Sequence, residues 1–76
     1  MRIKKHSYII LKYLSQYDNK ALVRNEEVYT QINISEHNFS KASEICFAFG
    51  FTEGSRTHIG ITEKGRVYLK EFEENL

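Results

Sequence analysis

Three histidines, one cysteine, four glycines and two adjacent carboxylate pairs are the residues of this chain with potential for chemistry beyond packing. His6, His37 and His58 fall on three different expected elements. None stands at the i, i+4 spacing, with an intervening glutamate, that a helical zinc site uses. Cys46 lies on an apolar helical stripe, where a thiol behaves as a small hydrophobe. A single cysteine excludes both an internal disulfide and a cysteine-based zinc cluster. The glycines are scattered and form no phosphate-cradling loop. Glu26–Glu27 and Glu73–Glu74 are neighbours on expected helices, so each pair points apart rather than into one site. No catalytic residue, metal site or cofactor is expected, and an enzyme is not the reading.

The elements that must carry any other chemistry are few. Seventy-six residues make one domain, spanning 1–76. A chain of this size buries only about 60% of its unfolded surface, so its core is small. A hydrophobic content of 41% supplies that core. The mean hydropathy of −0.51 and the lack of any run near the ~20 residues of a membrane span point to a soluble, cytoplasmic protein. Met1–Lys5 carries signal-like charge, but Lys12 interrupts the apolar run after it and no cleavage site follows.

The net charge of +1 favours no particular partner; its distribution is more informative. Residues 1–24 hold six basic side chains against one acid, and residues 25–54 hold one lysine against five glutamates. Residues 55–70 are again basic, and the tail carries Glu71, Glu73 and Glu74. Charge is thus segregated by element.

Arg24 to Phe51 is the organising stretch, two helices joined by a short turn. Asn25 is a suitable N-cap, and Glu26 and Glu27 suit the positive end of a helix. Val28 and Ile32 share a face at i, i+4. Asn33 tolerates the left-handed conformation at a helix end, Ile34 plugs the core, and Ser35 caps the next helix. That second helix, over 35–49, carries Phe39, Ala42, Cys46 and Phe49 on one stripe and stops at Gly50. Phe47 lies off the stripe, as an exposed aromatic unless an outer helix covers it.

Before this stretch, Ile3 to Tyr17 forms a helix with an apolar arc wider than one small core needs. That width leaves two readings open: a mostly buried central helix, or Tyr8, Ile9 or Tyr13 facing a second subunit. Ala21–Val23 is a short strand. After it, Phe51–Glu53, a turn at Gly54–Ser55 and a return strand over 56–62 form a hairpin with Ile59 and Ile61 on one face. Thr62 caps a last helix with Glu63 in its first turn, and Tyr68, Leu69, Phe72 and Leu76 form its apolar face. Gly65 costs that helix about 1 kcal/mol in propensity, tolerable where another backbone approaches closely.

This order resembles the winged helix-turn-helix family of small transcriptional regulators: helix, short strand, helix-turn-helix, β-hairpin wing, C-terminal helix, an α+β fold that is mostly α. The resemblance rests on Val28, Ile32, Ile34, Phe39, Cys46 and Phe51. It also rests on Ile61-Thr-Glu-Lys-Gly-Arg66, which is similar to the Leu/Ile-Thr-x-x-Gly segment common after the wing. Asn33 stands where the family often has Gly.

The resemblance implies duplex DNA as partner, with the second motif helix in the major groove. Its candidate contacts are Ser35, His37, Asn38, Ser40 and Lys41, beside Glu36 and Glu44. Asn38 suits adenine, Lys41 a guanine or phosphate, and the serines phosphate. Arg56 resembles the wing arginine, with His58 beside it, and Lys4, Lys5 and Lys12 of the first helix add phosphate contacts. A homodimer through the first and last helices would read a pseudo-palindrome. Glu36 and Glu44 depart from this picture, since they set acid on the face that would meet phosphate. They keep a second reading open: a protein-interaction module, an accessory subunit of a replication or other nucleic-acid enzyme that meets a complementary partner surface.

Overall fold

The computed structural model describes residues 5–18 and 21–75. The chain is α+β and mostly helical, with elements in the order α1 (Lys5–Leu14), β1 (Val23–Arg24), α2 (Asn25–Gln31), α3 (Glu36–Ala48), β2 (Thr52–Gly54), β3 (His58–Ile61) and α4 (Glu63–Glu74). The three strands form an antiparallel sheet in the order β1-β3-β2. Val23 pairs with Ile59, and Thr52 with Ile61.

Helices α2 and α3 end in the same way. At the end of α2, Ile34 N–H donates to Tyr29 O and Asn33 N–H to Thr30 O, with Asn33 at φ 57°. At the end of α3, Phe51 N–H donates to Cys46 O and Gly50 N–H to Phe47 O, with Gly50 at φ 77°. Both are Schellman motifs, which satisfy the last helical carbonyls and turn the chain sharply. Asn33 therefore performs as a helix stop in place of glycine, as its short polar side chain allows. Ser35 caps α3 by accepting from Asn38 N–H at 3.1 Å.

The core sits where α1 crosses α3 and the sheet closes beneath. Ile10, Leu11, Leu14, Val28, Cys46 and Ile61 are almost fully buried. Val23, Phe39, Ala42, Phe51, Ile59 and Leu69 complete the cluster, and Ile32 and Ile34 pack against it. Ser7 donates from Oγ to Ala42 O at 3.4 Å, bringing α1 and α3 together through a small residue on each side. Burial pushes the Cys46 thiol up to about 11, which suits an inert core residue and not a nucleophile. A ladder of rings passes through the core at Phe51 and continues along its edge, Phe49 to Phe51 to Tyr68 to Phe72 to Tyr8.

Several boundaries differ from the sequence expectation. Helix α1 covers Lys5–Leu14, and Tyr17 lies in the turn after it; Ile3 and Leu76 lie outside the described residues. The short strand is Val23–Arg24 and not Ala21–Val23, because Val23 is the residue that buries opposite Ile59. Gly54 is the last residue of β2, so the hairpin bends at 55–57 and returns at His58. Phe49 leaves the α3 stripe: it is the residue at which the helix stops, 36% exposed and stacked on Phe51. Asn25 does not cap α2. Arg24 occupies that position without a side-chain cap, and Asn25 is drawn to the hairpin instead.

Thr62 caps α4 by accepting from Gly65 N–H at 3.0 Å, and its own hydroxyl donates to Gly50 O at 2.6 Å. A Cβ at Gly65 would overlap the carbonyl oxygen of Phe51. The close backbone approach that would excuse a glycine in this helix is therefore present, and it seats α4 directly on the chain leaving α3.

Candidate nucleic-acid interface

The buried face of α3 turns its opposite face outward. Ser35, Glu36, His37, Asn38, Ser40, Lys41 and Glu44 are all exposed. Spacing explains this: Phe39, Ala42 and Cys46 fix one side of the helix, and residues between them at 3.6 per turn face away. The Ser35 hydroxyl is partly spent as the helix cap. The side chains of His37, Asn38, Ser40 and Lys41 make no hydrogen bond or ion pair with other described residues.

Arg56 is exposed at the hairpin bend, and two bonds from Asn25 set that bend in place. Asn25 Nδ2 donates to Arg56 O at 2.8 Å, and Asn25 N–H donates to Thr57 O at 2.8 Å. The start of α2 thus anchors the bend, while the Arg56 guanidinium has no ion-pair partner among the described residues. His58 is half-buried on β3, paired across the sheet with Arg24, and its Nδ1 lies 2.8 Å from Thr57 Oγ1. The role of Asn25 was hidden from the sequence because it depends on the β1–β3 register. No local pattern encodes that register.

The structure does not bring all the expected residues together. Arg56 and His58 line a groove with Ser43, Glu44, Phe47 and Ala48, in the C-terminal half of α3, and not with Ser35–Lys41 in its N-terminal half. Lys5 is exposed at the start of α1, and Lys4 lies outside the described residues. Lys12 turns away from this surface to Glu73 of α4, Nζ to Oε2 2.8 Å. That carboxylate holds the lysine pKa up, first through their hydrogen bond, and Lys12 in turn pulls Glu73 down. Lys12 is therefore committed within the chain.

The expected dimer face is also largely committed. Tyr8 donates to Glu73 Oε2 at 2.9 Å and packs on Phe72 at 5.1 Å between centroids. Tyr13 and Tyr17 place their hydroxyls 3.1 Å apart, which, with burial, pushes Tyr13 up to about 12. Ile9 is half-buried. Among the described residues, no three His, Cys, Asp or Glu side chains gather as they would to hold a metal ion, and no helix is long and apolar enough to cross a membrane.

No protein family, curated protein or solved structure compared with this chain matches it.

Proposed function

We propose that this chain is a winged helix-turn-helix protein that binds duplex DNA. The N-terminal half of α3 enters the major groove, and the bend of the β2–β3 hairpin serves as the wing. The observation that carries the reading is the row of exposed, unpaired side chains on α3, His37, Asn38, Ser40 and Lys41, on a helix whose other face is locked into the core. Asn38 offers an adenine its donor and acceptor together, and Lys41 offers a guanine edge or a phosphate its charge. Ser35 and Ser40 donate to phosphate, and Lys5 adds charge from α1. Arg56, held out by Asn25, meets the backbone or the minor groove. The role that follows is that of a small transcriptional regulator. Homodimerisation through α1 and α4 has less behind it, since Tyr8 and Tyr13 are bonded within the chain and Val67, 49% exposed, is the large apolar side chain that α4 leaves outside.

The test is an anisotropy titration of labelled duplex at several salt concentrations. Each phosphate neutralised contributes about −0.9 to the slope of log K against log salt. Binding that strengthens at low salt and weakens in Lys41→Ala supports the reading; no binding at low ionic strength removes it.

A further inference from the structure

The groove between the C-terminal half of α3 and the hairpin differs from the surface assigned to DNA. It measures about 720 Å³ and is open to solvent along its length. One wall presents Phe47, 63% exposed and in ring contact with none of the other described aromatics. Glu44 stands on the same wall and Glu53 on the facing one. Neither carboxylate has a cationic partner among the described residues. Asn25 also borders the groove, and its Oδ1 is a buried acceptor without a hydrogen bond among the described residues.

Arg56 and His58 also border the groove, but a phosphate backbone laid along its walls would pass two unpaired carboxylates and an apolar ring, which suits nucleic acid poorly. What its walls lack is an apolar surface for Phe47 and cationic partners for Glu44 and Glu53. A peptide carrying lysine or arginine beside a bulky apolar side chain supplies both, by the charge complementarity that protein interfaces use around an aromatic anchor. We propose that this groove docks an extended basic–apolar segment of a protein partner, its apolar side chain on Phe47 and its cations against Glu44 and Glu53. The inference goes beyond DNA binding: the two surfaces use different halves of α3 and meet at Arg56, which borders the groove. It gives the chain a place for a second macromolecule beside the first.

The experiment selects peptides of about 12 residues from a displayed random library on the full chain, then measures the winners by fluorescence polarisation. Enriched peptides should place Lys or Arg next to an aromatic or branched aliphatic residue. Phe47→Ser should weaken them at least about tenfold. Glu44→Lys and Glu53→Lys should each weaken them several-fold, and Lys41→Ala should leave them unchanged. All these side chains are exposed, and circular dichroism checks that each variant folds. Amide shifts of the unmutated chain give an independent readout, with Glu44, Phe47 and Glu53 moving on peptide addition. The proposal is overturned by an empty selection, by acidic winners, or by binding indifferent to Phe47→Ser. It is equally overturned if duplex DNA displaces the peptide and shifts Phe47 itself, which assigns the groove to nucleic acid.

Discussion

Where α1 meets α4, polar side chains answer one another. Tyr8 and Lys12 share the Glu73 carboxylate, Arg66 reaches the carbonyls of Ser15 and Tyr17, and Tyr13 meets Tyr17. Along α3 and the hairpin bend, His37, Asn38, Ser40, Lys41, Glu44, Glu53 and the Arg56 guanidinium answer nothing among the described residues. Both regions are rich in charge, so composition does not separate them. One region uses its polar groups to hold helices together; the other leaves them available to something outside. Polar groups kept unpaired on a rigid helix offer contacts that need little further ordering to be made.

The largest test of the frame behind this contrast is Gly65→Ala. Helix propensity alone predicts a gain, but the new methyl meets the Phe51 carbonyl. The overlap should destabilise the fold by about 3 kcal/mol in urea melts; a neutral result would break the account of how α4 is seated. Next comes the turn that aims α3. Asn33→Val places a β-branched residue at φ 57° and should cost about 1–2 kcal/mol, while Asn33→Gly should be close to neutral.

The contrast is sharpened by lysines. Lys41→Ala and Arg56→Ala should each reduce the salt dependence of duplex binding by about one ion. Lys12→Ala should leave it unchanged, because that ammonium is held by Glu73. Equal effects from all three would erase the distinction between committed and free charge.

The smallest effect concerns Glu73 itself. Lys12, then Tyr8, lowers its folded pKa below the ordinary carboxylate value. A depressed carboxylate contributes stability above its unfolded pKa and loses it as pH falls through the folded one. Wild type should therefore exceed Glu73→Gln in stability at about pH 6, and the gap should close under acid. A gap independent of pH would mean that the glutamate matters for shape and not for charge.

Much of the fold was legible because its signals are local. Asn33, Ser35, Gly50 and Thr62 act on backbone groups within a few residues, and each does what its type suggests. The buried stripe Phe39–Ala42–Cys46 followed from helical period alone. What escaped depends on partners distant in sequence. Asn25 looks like a cap until β1 is registered against β3 and the bend at Arg56 arrives beside it. Lys12 looks like free charge until α4 brings Glu73 across. The site was legible as a set of exposed polar residues on α3. Its division into two halves, one beside the hairpin and one beyond it, came from the packing of β2 against the far end of the helix.

The Thr62 hydroxyl takes a proton-sharing role on both sides, accepting at the head of α4 and donating to the carbonyl just past the tail of α3. Those two rods are therefore riveted tail to head through one oxygen, with Phe51 O receiving Thr62 N–H as a second fastening at 3.0 Å. On its flank α3 is also held directly by α1, where Ser7 Oγ donates to Ala42 O. The exposed side chains of α3 therefore stand on a helix fastened along its flank by α1 and at its tail by Thr62.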